Sequence, residues 1–235
     1  MEEKTLKTSW KQRIVIIVIA VLLLAATVLT YVLIVLNGNS SSNTASSDEE
    51  IAKLTEEYDA KTVELEEAAK PLSDKYFSDF VKYKSNVKAY NAETVNGEGL
   101  STKDLKEGTG RTLAENDTDY SAYYIGWCPN GDIFDSSFND NENPTSLKAP
   151  LDPSVGLIEG WNQGVIGMKL GGVRQVEMSG DLAYGDSQEI CGTTGSPLKF
   201  IILAVETDKK IAEINEELNA IYLQLYYAYY DNMSN

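Results

Sequence analysis

GLIEGWNQGVIGMKLGGVRQVEM, residues 156–178, is the stretch on which the reading of this chain turns. Residues 160–168 suit one short helix, and Trp161, Val165 and Met168, at steps of four and three, give it a single apolar face. The period then changes. Over 173–178 the residues Val173, Gln175 and Glu177 alternate loosely with Arg174, Val176 and Met178, which predicts a strand. Downstream, 198–205 is a nearly unbroken apolar run and fits a central strand covered on both faces. Upstream, 120–127 is aromatic enough for a strand, Pro129-Asn130-Gly131 is a turn, and 132–135 begins the returning strand. One short helix over a small antiparallel sheet is an α+β arrangement, here bounded by residues 101–206.

Helical patterns flank this domain. Residues 48–91 read as a helical arm: Ile51, Leu54, Tyr58 and Leu65 share one face, and Pro71, lacking an amide hydrogen, is expected to end that helix or start the next. The following stretch carries Tyr76, Phe77, Phe80, Val81 and Val87 at helical spacing. Residues 207–231 form a C-terminal helix with a seam of Ile211, Ile214, Leu218, Ile221, Leu225 and Ala228. That seam either packs on the preceding arm as a stalk or serves as a homodimer or client-holding surface, with Tyr222, Tyr226, Tyr227, Tyr229 and Tyr230 adding aromatic contact area.

Residues 14–36 run for 23 positions without a charge, and about 20 apolar residues cross a bilayer core. The expectation is a single-pass transmembrane helix rather than a cleaved secretory signal, whose apolar core is only about 7–15 residues long. The cytoplasmic tail, 1–13, carries Lys4, Lys7, Lys11 and Arg13, so the chain beyond the span is expected outside the cytoplasm. Residues 37–47, rich in Ser and Asn, read as a flexible tether.

Composition removes several function classes. A formal charge of −16 is repelled by phosphate backbones, which excludes nucleic-acid binding as a main role. There is no histidine, so imidazole triads, imidazole metal sites and a histidine proton shuttle are all excluded. Two cysteines, Cys128 and Cys191, are too few for a four-ligand zinc site and are either one disulfide or two thiols. No cofactor and no metal is called for.

The segments YYIGWCPNGDIFDSSF (123–138), 156–178, LAYG (182–185) and PLKFIILAVE (197–206), in this order, resemble the FKBP-type peptidyl-prolyl isomerases over about 105 residues. The resemblance implies a twisted antiparallel sheet around one short helix, with an apolar cleft that admits a proline ring of a polypeptide client. It implies catalytic positions at Tyr124, Phe134, Asp135, Ile158, Trp161, Tyr184 and Phe200. Trp161 would floor the pocket, with Tyr124, Phe134 and Phe200 as its walls. The Tyr184 hydroxyl and the Ile158 amide would approach the substrate carbonyls, and Asp135 would accept hydrogen bonds at the rim. Leu147 and Leu157 are the further substrate-binding candidates, Leu147 standing where relatives often have another aromatic. The loop 185–199 lacks the Ile-Pro-Pro segment common in relatives and carries Cys191 instead. The resemblance puts Cys128 and Cys191 in connections near the cleft rim, where a disulfide between them and a pair of partly buried thiols are the two outcomes. The expected function is assistance to folding of extracytoplasmic proteins by prolyl isomerisation; the alternative is a non-catalytic membrane-tethered chaperone or peptide-binding module.

Overall fold

A computed structural model describes residues 44–234. The tail 1–13, the apolar run 14–36 and tether residues 37–43 lie outside the described residues. Among the described residues no helix is long and apolar enough to cross a membrane. In chain order the elements are α1 (Thr44–Phe80), a 3-10 helix (Val81–Asn86), α2 (Ala92–Glu98), β1 (Leu100–Lys106), β2 (Ser121–Trp127) and β3 (Ile133–Ser136). After them come a 3-10 turn (Pro153–Val155), α3 (Glu159–Gly164), β4 (Val173–Met178), a 3-10 turn (Gly180–Leu182), β5 (Leu198–Val205) and α4 (Lys209–Ser234). The described residues divide into two compact units, 60–219 and a smaller one made of 44–59 with 220–234.

The larger unit is built on a five-stranded sheet in the order β1-β4-β5-β2-β3, antiparallel at every pairing. The apolar run of β5 sits at its centre and is covered on both sides. Because successive strand residues point to opposite faces, Leu198, Phe200, Ile202 and Ala204 join one core, with Trp161, Val165, Val176 and Met178. Ile201, Leu203 and Val205 join the other, with Phe80, Tyr123, Ile125 and Phe138. The first core lies under α3. The helix approaches so closely that a Cβ at Gly164 would stand 2.5 Å from Val176 Cγ1. Arg174, only 8% exposed, pins the exit of α3: its Nη1 donates to the carbonyls of Gly164 (3.0 Å) and Ile166 (2.9 Å), and its Nε donates to Asp104 on β1 (2.7 Å).

The second core is closed by the end of α1, where the Phe80 ring meets Phe138 at 5.9 Å between centroids. Helix α1 runs on through Pro71, contrary to the expected break. The proline forfeits a helical hydrogen bond at a cost of about 3 kcal/mol, but Ala69 and Ser73 on either side are buried and hold the turn by tertiary packing. Two further boundaries differ from expectation. Thr44–Ser47, read as tether, already belongs to α1, and the helical pattern after Phe80 continues as a 3-10 helix that ends before Val87. Asn91 then caps α2 by accepting from the amides of Glu93 and Thr94.

Still in the larger unit, α4 lies antiparallel to α1. Lys61 pairs with Glu217 (2.5 Å) and Lys210 with Glu64 (3.7 Å), while Ile211, Ile214 and Leu218 are buried. In the smaller unit Ile51, Leu54 and Ile221 are buried, whereas Tyr222, Leu223, Tyr226 and Tyr227 are exposed.

Candidate active site

The residues singled out in the sequence converge from four elements: Tyr124 from β2, Phe134 and Asp135 from β3, Trp161 from α3, and Phe200 from β5. Register explains the convergence. Gly126 pairs with Phe200 on one side and with Asp135 on the other, so the middle of this cross-strand row has no side chain. A Cβ there would stand 2.7 Å from the Phe200 ring and 2.8 Å from the Phe134 ring. The glycine leaves room for those rings to meet edge to face, with centroids 5.6 Å apart at 89°. Trp161 completes the group, 5.5 Å from Phe200 and 5.6 Å from Tyr124, again with steep interplanar angles. Edge-to-face pairs place the positive ring edge on the negative ring face and add about 0.5–1.5 kcal/mol each beyond area burial.

Polar contacts fix the rest. The Trp161 indole N–H donates to the Tyr120 hydroxyl at 3.0 Å, and both groups are buried. The Tyr124 hydroxyl donates to Asp135 Oδ2 at 2.5 Å, while Asp135 Oδ1 accepts from the Ser136 amide at 2.8 Å. Burial pushes the Tyr124 hydroxyl well above the usual tyrosine range, and the neighbouring Asp135 charge pushes it further, so it remains a donor. Burial and Asp135 raise Tyr184 in the same way. Ile158 is the N-cap of α3, in extended conformation (φ −60°, ψ 148°). Its carbonyl accepts from Trp161 and Asn162, and its amide has no acceptor among the described residues. Leu157, Ile158 and Tyr184 are half-buried against the core that contains Trp161 and Phe200.

Leu147 does not belong to this group. It is 4% exposed in the opposite core, bridges to Phe138, and donates its amide to Ser73 Oγ on α1 at 2.8 Å. The expectation of a cleft wall at this position is corrected. Phe138 and Leu147 stand opposite one another, so their side chains share a face, and that face looks at α1.

Three residues of this surround were not among the site candidates. Tyr120 holds the indole, and Leu182 and Ile190 lie half-buried against the same core. Adjacency offered the signal for two of them, since Tyr120 opens the aromatic strand segment and Ile190 precedes Cys191. The Cys128 and Cys191 sulfurs are bonded, with Cα atoms 5.6 Å apart across a sequence separation of 63. The bond ties the end of β2 to the loop after Tyr184. Two recesses, of about 660 and 370 Å³, lie away from the aromatic group; the smaller flanks the disulfide.

Comparison with known proteins gives the geometry a setting. The family model for FKBP-type peptidyl-prolyl cis-trans isomerase matches residues 110–205. An FK506-binding protein of Neisseria meningitidis serogroup B is 36% identical over 87 residues, which cover 37% of this chain and 75% of that protein. FK506-binding protein 4 of Gibberella zeae is 36% identical over 117 residues, 50% of this chain, which spans only 21% of the fungal protein. A probable FKBP-type peptidyl-prolyl cis-trans isomerase of Haemophilus influenzae is 32% identical over 167 residues, 68% of this chain and 63% of the relative.

Proposed function

Because the chain belongs to the FKBP-type peptidyl-prolyl cis-trans isomerases, a family of enzymes, we propose that the aromatic group around Tyr124, Phe134, Trp161 and Phe200 receives a prolyl ring and speeds rotation about the bond before it. One observation carries the reading: four rings from four elements pack edge to face beside a Tyr124–Asp135 hydrogen bond, with the acceptor-free Ile158 amide close by in the sequence to Trp161. Phe134, Tyr124 and Tyr184 are only partly buried, so a client has surface to meet.

Rotation of an X-Pro bond crosses a barrier of about 18–20 kcal/mol set by amide resonance, and no covalent bond breaks. A twisted amide has lost resonance and with it part of its charge separation. It therefore enters an apolar aromatic surround at less cost than the planar form. Trp161 supports the ring, the Ile158 amide donates to a client carbonyl, and the Tyr124–Asp135 pair holds the rim. Preference for the twisted form by about 4 kcal/mol gives roughly a thousandfold in rate. The chemistry needs no proton relay, which agrees with a chain that has no histidine. Protease-coupled turnover of a proline tetrapeptide by the full chain in detergent tests the reading; turnover at the uncatalysed rate refutes it.

The wider proposal is that clients are proline-containing polypeptides outside the cytoplasm, reached by a domain held at the cell membrane through residues 14–36. The charge-free run and its basic N-terminal flank support it. Protease added to cells stripped of any outer membrane should digest residues 101–206 and spare the basic tail; protection of the domain overturns the topology. The inward position of Leu147 favours a second reading, a binding module whose cleft lacks one wall. Suppression of client aggregation without turnover distinguishes it.

A further inference from the structure

The larger recess, about 660 Å³, lies on the sheet face opposite the aromatic group and is half open to solvent. Its floor is a single cross-strand row in which Lys106 pairs with Val173 and Val173 with Leu203. Its wall is the last turns of α1 and the 3-10 helix, which contribute the rings of Tyr76, Phe80 and Tyr83. The volume lies in the range of about 300–1,000 Å³ usual for ligand sites.

The rim is basic. Three lysines, Lys75, Lys82 and Lys106, face one aspartate, Asp79, which already accepts from Lys82 at 2.7 Å. Lys75 sits 4.7 Å above the Tyr76 ring, and neither Lys75 nor Lys106 forms an ion pair among the described residues. A local surplus of positive charge beside the half-buried Tyr76 and Tyr83 rings stands out on a chain of formal charge −16.

We propose that this recess is a second docking site for polypeptide clients, one that takes a short segment carrying a bulky apolar side chain beside carboxylates. Charge complementarity selects the carboxylates, the half-buried Tyr76 and Tyr83 rings select the apolar side chain, and the half-open form lets a chain run through. Two attachment points on one client raise the effective concentration of its prolines at the aromatic group. The site itself does not depend on catalysis there.

The test titrates the full chain in detergent with a fluorescent, proline-free peptide of sequence Gly-Glu-Glu-Phe-Leu-Glu-Gly. At about 0.15 M salt the Debye length of about 8 Å screens the remote acidic surface and leaves the local lysines in control. Saturable binding is expected. It should weaken about tenfold or more, a factor equal to about 1.4 kcal/mol, in K75E/K106E, and likewise when the peptide glutamates become glutamines. The glutamine peptide needs no variant, so that arm stands even if K75E/K106E folds poorly. Absence of saturable binding, or equal affinity of the glutamine peptide, overturns the proposal. So does displacement by a proline tetrapeptide, which places the peptide at the aromatic group. Binding of phosphatidylglycerol vesicles through the same lysines, without peptide binding, assigns the recess to lipid and also overturns it. A failure of turnover leaves this titration unaffected, so the two readings fail separately.

Discussion

Removing the Cys128–Cys191 bond should lower the melting temperature of the isomerase domain more than any surface change. The bond closes a segment with a sequence separation of 63, and the chain-entropy relation gives a loop of that size about 4 kcal/mol of stabilisation through the unfolded state. For the compact unit Ala60–Asn219 about 1 kcal/mol moves the melting temperature by roughly 2–4 °C, so the expected drop is on the order of 8–16 °C. Cys128 is 1% exposed and small, so replacing both cysteines by alanine removes little packing. Calorimetry of the full chain should give the same drop for the Cys128→Ala/Cys191→Ala pair without reductant as for the native chain with it. The loss should be local as well as global. Ile190 precedes the bonded cysteine and packs on the core that holds Trp161, so hydrogen exchange over 185–197 should quicken while β2 and β5 stay protected. A change of less than about 2 °C in both samples refutes the reasoning, because it means the loop is held by its other contacts.

Gly126→Ala places a methyl group against the Phe134 and Phe200 rings, which should cost about 1–3 kcal/mol of stability and reduce proline turnover more than tenfold; native turnover in this variant dissociates those rings from the activity. Leu147→Ala should lose about 2–5 kcal/mol in denaturant unfolding yet keep kcat/KM for a proline tetrapeptide, since Leu147 faces α1; a selective fall in kcat/KM returns it to the cleft. For pH, burial raises the hydroxyls of Tyr90, Tyr120, Tyr123 and Tyr124 above their ordinary 10.0. The unfolded chain then ionises first, so their stability contribution is complete below pH about 10 and is lost as pH rises; a denaturation midpoint unchanged between about pH 8 and 11 contradicts this. Asp104 and Asp117 are held below their ordinary 3.8 chiefly by hydrogen bonds from Arg174 and Arg111, so their support is present above that value and is lost as pH falls through the folded value, which acid titration of stability should show.

The parts of the fold that sequence made legible are those whose burial is locally encoded. Strand β5 is apolar at alternate and intervening positions alike, which only a two-sided core explains. Strand β1 escaped notice, because LSTKDLK has an edge strand's exposed, charged middle, and its pairing is imposed by β4, whose partner for Asp104 is Arg174. Pro71 misled for the converse reason: the local penalty is real, but buried neighbours on the same helix outweigh it. At the site, ordered sequence blocks reached Tyr124, Phe134, Trp161 and Phe200. They failed for Leu147 because 139–154 has no period to fix its register. That register is set by Asn139, whose side-chain oxygen accepts from the amides of Thr145 and Ser146 and turns the chain back so that Leu147 faces Phe138.

The strand order has a kinetic consequence. β2–β3 and β4–β5 are neighbours both in sequence and in the sheet, but β1 waits for β4, and β2 waits for β5, the last strand to be synthesised and the one at the centre. A sheet closed from its middle by its final segment has few early contacts to reward partial collapse, and such non-local topologies fold over roughly milliseconds to seconds. Until residue 205 is available, β2 and the β1–β4 pair have no common partner. During its own biogenesis the nascent chain is therefore a slow, edge-exposed folding substrate before it can serve any other polypeptide.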